Sequence, residues 1–304
     1  MTATGMRLLP APRGPLVVEG HAEIGLSLVV PTYNECANIA GFLPVLHAVL
    51  DFAVGEDYEV IVVDDDSPDR TWELAAGLLP RFPQLRLVRR QSERGLSSAV
   101  IRGWQAGRGT VLGTINADFQ HPPEVLARML ASIPGTDLVV ASRYCDGGGL
   151  GDWTMHRRGL SRGAQWLGQW LLPNVTYFSA WAGVGQAVWP VQVPETARGR
   201  RNRLPHRKAE VSDIGLLPEV FARASDPLSG CYLVRRSAIA GVLLRPAGYK
   251  TLIEILARGR IDRIAECGYE MRARREGASK VTWRQYAQYL GHILRLRRAL
   301  RNGS

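Results

Sequence analysis

The segment VLGTINADFQHPPE, residues 111–124, holds side chains whose types and spacing could bind a metal ion. Its apolar run indicates a buried strand that leads into Asn116, and the pair Pro122-Pro123 begins a turn. Asp118 and Gln120 are two residues apart, a spacing that turns both side chains to one side of an extended chain. Their carboxylate and amide oxygens are hard ligands, suited to Mg²⁺ or Mn²⁺ carrying substrate phosphates. The alternative is a plain strand-to-turn junction with solvated polar residues.

Two other apolar runs also end in polar clusters. Residues 26–30 lead into Tyr33-Asn34-Glu35, and residues 58–63 lead into Asp64-Asp65-Asp66. Carboxylates gathered at one sheet edge would repel each other unless a cation, or a base and ribose, lies between them.

The run of aspartates carries more charge than the cap of the following helix requires. We therefore assign ligand binding to Asp65, as to Asp118. For Asp66 and Asp69 we prefer the simpler role of helix capping.

The alternation of strands and helices predicts an α/β fold with a mostly parallel sheet flanked by helices. In such a sheet ligands bind outside the carboxyl ends of the strands, where the polar clusters would meet. Strands are expected at 26–30, 58–63, 85–89, 111–115 and 137–141, and helices at about 37–51, from about 70, from 95 to about 106, and at 124–132.

The composition indicates a folded domain with an anionic partner. Its 304 residues and 46% hydrophobic content suffice for one large domain with a core. The net charge of +10 is concentrated after residue 142, around 198–208 and in the C-terminal tail, which favours nucleic acid, acidic lipid or a phosphorylated substrate. The 4 cysteines lack CxxC spacing, which indicates reduced thiols rather than a zinc site or a disulfide scaffold.

The two ends of the chain differ in character. Residues 1–24 are rich in Pro, Gly and Ala without periodicity, and we expect a disordered leader there. With neither a signal-peptide pattern nor an apolar run of about 18–20 residues, the sequence predicts a protein that is soluble or lies on a membrane without crossing it. Residues 282–304 form a basic amphipathic helix pattern, for which we favour interfacial contact, although a helix packed on the core would look similar. The apolar face of that pattern comprises Tyr286, Tyr289, Leu290, Ile293, Leu296 and Leu300.

The motifs PTYNE, VDDDSPDRT, GLSSAVIRGW and ADFQHPPE occur in this order between residues 31 and 124. SRYCDGGG, DPLSG, GYK and RREGASK follow between residues 142 and 280. The ordered set resembles inverting GT-A glycosyltransferases of family 2, and among them the polyprenol (dolichol) phosphate mannosyltransferases. The resemblance covers most of residues 26–295 and implies a GT-A (Rossmann-like) domain over 25–281. His121 before Pro-Pro is more similar to the mannosyl members than to the glucosyl members, in which an Asp is usual.

The resemblance implies a nucleotide-sugar site at the ends of the first strands. Asp118 and Gln120 would hold the metal against the donor diphosphate, where it acts as a Lewis acid. Asn116 departs from the family, which usually has Asp there, so that metal affinity or activity is in question. The implied nucleotide-sugar-binding residues are Pro31, Tyr33, Glu35, Val63, Asp65, Asn116, Ala117, Asp118, Lys250, Arg274 and Lys280.

The resemblance also places Arg143, Arg157 and Ser161 around the acceptor's phosphate, whose oxygens match the forks of arginine. Asp226 would lie near the sugar or the acceptor, or else form an Asx-turn. The implied reaction is a single in-line displacement, with Asp118, Arg143, Arg157 and Asp226 as catalytic residues. An acceptor phosphate is already ionised at neutral pH and demands no strong general base, so the histidines are expected to be structural.

Residues 174–224 form an insertion relative to the family, with an aromatic stretch (TYFSAWAGVGQAVWPV) and then a basic run (ARGRRNRLPHRK). The insertion fits a disordered surface loop or a membrane interface. Because its aromatic and arginine residues are segregated, nucleic acid is not expected as a partner. The sequence thus predicts an enzyme that moves mannose from GDP-mannose to a polyprenyl phosphate, peripheral on the cytoplasmic face of a membrane. The alternatives are a UDP-sugar as donor, or a scaffold that binds nucleotide sugar without catalysis.

Overall fold

The computed structural model describes residues 7–149, 163, 220–221, 224–246, 250–274 and 283–301. In this part of the chain, nine strands form one sheet in the order β1-β4-β3-β2-β5-β8-β6-β9-β7. The strands are β1 Leu8–Leu9, β2 Ile24–Thr32, β3 Tyr58–Asp64, β4 Leu85–Arg89, β5 Gly109–Thr114, β6 Leu138–Ser142, β7 Val220–Phe221, β8 Tyr232–Arg235 and β9 Ile264–Gly268.

Helices cover both faces of the sheet. One buried cluster includes Phe42, Leu46 and Met129, and the other includes Trp104 and Ile255, so the sheet has a core on each side. The described helices are α1 Cys36–Val54, α2 Thr71–Leu78, α3 Leu96–Ala106, α4 Val125–Ala131, α5 Arg236–Ile239, α6 Thr251–Arg258 and α7 Trp283–Arg301. The predicted α/β architecture is therefore confirmed, with helix and strand ends within a few residues of those expected.

The direction of the strands determines which loops meet. Strands β2, β3 and β5 pair in parallel, and so do β6 and β9, whereas β8 runs antiparallel between β5 and β6. The carboxyl ends of β2, β3, β5, β6 and β9 therefore lie at one edge of the sheet. Because β8 is reversed, it is its amino-terminal end that reaches this edge. The DPLSG segment at 226–230 is thereby brought beside the polar clusters of the first half.

The N-terminal segment is part of the fold, so the prediction of a disordered leader over 1–24 is wrong for residues 7–24. Strand β1 extends the sheet by pairing in parallel with β4. Arg7 Nη1 donates hydrogen bonds to the carbonyl oxygens of Leu79 (2.6 Å) and Phe82 (2.8 Å). Val18 is fully buried and bridges to Ala240. These partners are distant in sequence, so the segment is held on the domain without an amphipathic pattern of its own.

Helix α1 is, among the described residues, the one helix long and apolar enough to cross a membrane by length and composition. Phe42, Leu43 and Leu46 on this helix are fully buried in the core. Such burial is the environment of a core helix in an α/β domain.

The C-terminal helix α7 packs on the domain. Tyr289, Ile293 and Leu296 are buried against Leu228 and Ile253. His292 Nε2 lies 2.7 Å from Glu254 Oε2 of α6. For this part of the helix the structure shows the packed arrangement rather than an apolar face turned outward. Leu290 and Leu294 remain 40% and 41% exposed.

Candidate active site

The proposed metal ligands lie on a tight turn just after β5. Phe119 has a left-handed backbone (φ +59°), and its ring packs edge-on against Phe42 at 5.1 Å between centroids. The backbone N–H of Gln120 donates to Asp118 Oδ1 (3.1 Å), and both side chains are buried. Asp118 and Gln120 therefore converge as predicted, but they do so through a turn and not through the alternation of an extended strand.

Both side chains point at one cation supplied by the chain. Arg274 Nη2 lies 3.0 Å from Asp118 Oδ2 and 3.0 Å from Gln120 Oε1. The backbone N–H of Arg272 donates to the carbonyl oxygen of Gln120 (3.1 Å), which lays the segment after β9 across this turn. Arg274 thus contacts both predicted metal ligands, and its place at a donor diphosphate stays a prediction.

The two oxygens fit a divalent cation. A carboxylate oxygen and an amide oxygen that already share one positive nitrogen can share a hard metal ion. Within the described residues there is no group of three or more His, Cys, Asp or Glu side chains that could hold a metal ion by themselves. This donor set suits Mg²⁺ or Mn²⁺, which usually take one or two carboxylates and complete their shell with substrate phosphates and water.

The predicted nucleoside residues lie at the ends of β2 and β3. Pro31 pairs with Val63 in the sheet, and both are buried. Tyr33 and Glu35 follow β2 and are half-buried. Arg94 lies near the ring of Tyr33, with its guanidinium carbon 5.5 Å from the ring centroid. This edge of the sheet thus combines the buried apolar residues Pro31 and Val63 with the half-buried ring of Tyr33 and the guanidinium of Arg94.

The carboxylate of Asp65 is held by partners from the chain itself. Its Oδ1 accepts a hydrogen bond from Arg90 Nε (2.7 Å), and its Oδ2 accepts from the N–H of Gly95 (2.7 Å). Burial raises the pKa of Asp65, against the opposing effects of Gly95 and Arg90. Asp65 does not cap the helix that follows it, which agrees with the prediction. The cation beside its carboxylate, however, is Arg90 of the protein itself. Arg90 is a site residue that the motifs did not reveal.

Asp66 and Asp69, both predicted to cap the helix that follows β3, have different partners. Asp69 Oδ1 accepts a hydrogen bond from the N–H of Thr71 (3.0 Å), the first residue of α2, and so satisfies one N–H group at the start of that helix, although the N-cap position itself is Arg70. Asp66 accepts Arg89 Nε (2.6 Å) instead, so its predicted role as a cap is wrong. Arg89 ends β4 beside β3, a neighbour that only the sheet topology provides.

A buried ion pair joins the ends of β6 and β8. Arg143 donates from Nε to Asp226 Oδ2 (2.7 Å) and from Nη2 to Oδ1 (2.8 Å). The side chains are 8% and 1% exposed. Burial raises the pKa of Asp226, but the charges of Arg143 and Lys250 outweigh burial and hold this pKa below its usual range. The Asp226 carboxylate thus orients Arg143 rather than closing an Asx-turn.

Lys250 and His121 lie next to this pair. Lys250 Nζ donates to the carbonyl oxygen of Leu228 (2.7 Å), and burial together with Arg143 lowers the pKa of Lys250 to about 7. Burial and the nearby Arg143 lower the pKa of His121 to about 3, so its ring is neutral. The His121 ring lies 5.0 Å from that of Tyr269. The predicted structural role of His121 agrees with this environment. Lys250, predicted at the donor diphosphate, lies beside the Arg143–Asp226 pair.

A close approach links the metal turn to the turn at 226–230. A Cβ on Gly230 would lie 2.8 Å from Asn116 Nδ2 and 3.3 Å from His121 Cε1. A side chain at position 230 would therefore displace the Asn116 amide. The turn that carries Asp118 and Gln120 and the turn that carries Asp226 thus lie against each other.

Some predicted residues lie outside the part that the structure describes. These are Arg157, Ser161 and Lys280, and all but three residues of the predicted insertion 174–224. The site also contains Glu266, which the motifs did not indicate. An acidic residue within the apolar run IAECGY was the signal that could have revealed it.

Comparisons with known proteins show the family and the fold of this chain. The sequence model of Glycosyl transferase family 2 matches residues 27–239. A dolichol-phosphate mannosyltransferase of Pyrococcus furiosus is 35% identical over 89% of this chain, which spans 63% of that relative's length. A Saccharomyces cerevisiae protein of the same name is 27% identical over 90% of this chain and 87% of its own length.

A solved structure has the same fold. Glucosyl-3-phosphoglycerate synthase from Mycobacterium tuberculosis, in complex with Mn²⁺, uridine diphosphate and phosphoglyceric acid, matches with a TM-score of 0.54. It is 19% identical, and the match covers 91% of this chain and 78% of that one. At this identity the similarity shows the fold, and it confirms the predicted GT-A architecture. Since the family's sequence model matches more than half of the residues, the chain belongs to glycosyl transferase family 2.

Proposed function

We propose that this chain transfers mannose from GDP-mannose to a polyprenyl (dolichyl-type) phosphate, with inversion at the anomeric carbon and with a divalent metal. The observation that carries the proposal is the continuity of two half-sites. The oxygens of Asp118 and Gln120 suit a metal-bound diphosphate, and the Arg143–Asp226 pair beside them suits an anionic acceptor. The names of the relatives in Pyrococcus furiosus and Saccharomyces cerevisiae support this acceptor and this sugar.

The reaction needs positioning more than acid–base chemistry. An oxygen of the acceptor phosphate forms a bond to the anomeric carbon, while the bond from that carbon to the diphosphate breaks and its electron pair leaves with the nucleoside diphosphate. The phosphate is already ionised, and the neutral, buried His121 is not required as a base. Arg143, oriented by Asp226, holds the acceptor phosphate in line, and Arg157 and Ser161 are proposed to assist.

Charge on the leaving group is countered from the opposite side. Mg²⁺ or Mn²⁺, when bound by Asp118 and Gln120, neutralises charge on the diphosphate. Arg274 is close enough to those oxygens to contact the same diphosphate, and Lys280 is proposed to join it. The amide oxygen of Asn116 is able to accept a hydrogen bond, but it contributes no charge.

We also propose that the protein works at the cytoplasmic face of a membrane as a peripheral protein. The net charge of +10 favours an anionic lipid surface. Leu290 and Leu294 on α7 are exposed, and the arginines at 295 and 298 on the same helix are exposed as well. A lipid-linked acceptor requires the site to lie near the bilayer, and α7 contacts the acceptor half of the site through Leu228.

A transfer assay tests this proposal. The protein is supplied with a short polyprenyl phosphate in vesicles, Mg²⁺ or Mn²⁺, and GDP-mannose beside UDP-glucose and UDP-GlcNAc. Lipid-linked mannose from GDP-mannose alone is the expected result, and Asp118→Asn is expected to abolish it. Transfer from a UDP-sugar instead would refute GDP-mannose as the donor, while the proposed displacement mechanism would still hold.

The second candidate is a scaffold that binds nucleotide sugar without catalysis, and Asn116 is the observation in its favour. Restoring the acid distinguishes the two. Asn116→Asp should raise turnover if the site is an enzyme with weakened metal affinity. If both forms bind GDP-mannose and neither transfers mannose, the scaffold is the correct function.

A further inference from the structure

Glu266 is an acidic residue inside the buried strand β9, and the mechanism above does not use it. Its side chain is 7% exposed, between Ala265 and Cys267. Its Oε1 accepts hydrogen bonds from the backbone N–H groups of Ser225 (2.8 Å) and Asp226 (3.3 Å). Burying a carboxyl group costs free energy unless the group is hydrogen-bonded. The hydrogen bonds from Ser225 and Asp226 offset that cost for Glu266.

Two routes of hydrogen bonds lead from Glu266 to Arg143. In the first, Glu266 holds the backbone of Asp226, whose carboxylate binds the guanidinium of Arg143 side-on. In the second, Glu266 holds the backbone of Ser225, whose Oγ lies 2.9 Å from Ser142 Oγ. Ser142 immediately precedes Arg143 in the chain. Arg143 is thus fixed both at its guanidinium and at its backbone by groups that depend on Glu266.

The strand register places Glu266 beneath this pair. Strands β6 and β9 run in parallel, with Val140 opposite Glu266 and Ser142 opposite Gly268. Arg143 leaves the sheet just beyond that level, at the edge where the turn at 226–230 arrives from the other direction. Glu266 is therefore the point in the sheet from which both approaching segments can be held.

We propose that Glu266 is a positioning residue for the acceptor: by holding the turn that carries Asp226, it fixes the direction in which Arg143 presents its guanidinium to the acceptor phosphate. The inference rests on the proposed function, because it takes Arg143 as the phosphate-binding residue. Glu266 acts through other residues and does not itself touch substrate.

A substitution can separate this role from simple loss of a charge. Burial raises the pKa of Glu266 to about 7, so near neutral pH the protonated carboxyl group is well populated and still accepts through its carbonyl oxygen. Glu266→Gln keeps that oxygen, whereas Glu266→Ala removes it. Glu59→Gln is the control for changing a buried acid away from the site. Glu59 lies near the opposite end of the sheet, where it accepts from Ser27 Oγ (2.6 Å) and pairs with Arg86 and Arg108.

The test measures KM separately for a short polyprenyl phosphate and for GDP-mannose in each variant. We expect Glu266→Ala to raise the acceptor KM about tenfold, the typical effect of misplacing a charged hydrogen-bond partner, with an unchanged donor KM. Glu266→Gln should restore the acceptor KM to near that of the wild type. Glu59→Gln should leave both values unchanged.

Three results would overturn the inference: an unchanged acceptor KM in Glu266→Ala, an equal rise of both KM values, or a Gln variant as impaired as the Ala variant. If Glu266→Ala does not fold, Glu266→Asp replaces it, since its shorter side chain withdraws the accepting oxygen by one methylene. A wild type that transfers no mannose refutes the proposed function instead. In that case titration with inorganic phosphate decides, and equal phosphate affinity in wild type and Glu266→Ala would overturn the positioning role.

Discussion

Replacing Asp226 by Asn should lower the stability and the activity of this protein together, and a second substitution should then separate them. Asp226 binds Arg143 through Nε at 2.7 Å and Nη2 at 2.8 Å, and both side chains are almost fully buried. Removing one partner leaves a buried positive charge, which typically costs about 3–5 kcal/mol. Lys250, whose pKa burial and Arg143 lower to about 7, can release its proton when Asp226 is replaced, so the cost is assigned to Arg143 alone. At about 2–4 °C per kcal/mol, the melting temperature should fall by roughly 10 °C.

The matched control is the double variant Arg143→Met with Asp226→Asn. Removing both charges of a buried pair is often close to neutral, so most of the lost unfolding free energy should return. Transfer to polyprenyl phosphate should not return, because the guanidinium that we propose as the phosphate-binding group is gone. Urea denaturation gives the stabilities of the four proteins of this cycle, and the transfer assay gives their activities. A cost below about 1 kcal/mol in Asp226→Asn, the range of exposed pairs, would refute the reasoning, as would strictly additive effects.

Three further predictions follow from individual contacts. Arg274→Ala should strengthen Mn²⁺ binding in the absence of nucleotide, because the guanidinium no longer occupies the oxygens of Asp118 and Gln120. Electron paramagnetic resonance measures the free Mn²⁺, and weaker Mn²⁺ binding in the variant would contradict this prediction. Gly230→Ala places a Cβ 2.8 Å from Asn116 Nδ2, so the Asn116 amide must shift. Because that amide is the end of a side chain, the cost in unfolding free energy should be only about 1 kcal/mol, whereas transfer should fall markedly. Normal turnover would disprove the close contact. Burial lowers the pKa of His47 to about 4 from 6.5, so the unfolded chain binds a proton that the folded protein does not as pH falls from 6.5 to 4, and stability is lost over this window. His47→Phe should remove up to about 3 kcal/mol of that loss of unfolding free energy between pH 6.5 and 4. If urea denaturation shows that the unfolding free energy falls equally with pH in the wild type and the variant, the prediction is refuted.

The strands and helices of the first half of the chain were predicted correctly, because each depends on the residue pattern within its own segment. Strands β2 to β5 are apolar runs bounded by turn residues, and their order with the intervening helices predicts the parallel half of the sheet. The turn after β5 was expected from Pro122-Pro123. Its left-handed residue, Phe119, was not expected, since an aromatic residue rarely adopts that backbone conformation.

The parts that were not predicted depend on neighbours distant in sequence. Strand β8 is reversed and inserts between β5 and β6, a pairing that no local periodicity indicates. Arg90 and Asp65 are 25 residues apart, and Glu266 and Asp226 are 40 residues apart. For such pairs the sequence shows two charged or polar residues, and only the sheet topology shows that they meet.

The measurement that tests the central claim most directly is the anomeric configuration of the lipid-linked mannose formed from GDP-α-mannose, read by NMR of the purified product. A single in-line attack by the acceptor phosphate, with Arg143 on one side and the Asp118–Gln120 oxygens on the other, predicts a β-mannosyl phosphate. An α-linked product would contradict the direct displacement, and no lipid-linked mannose at all would contradict the proposed function.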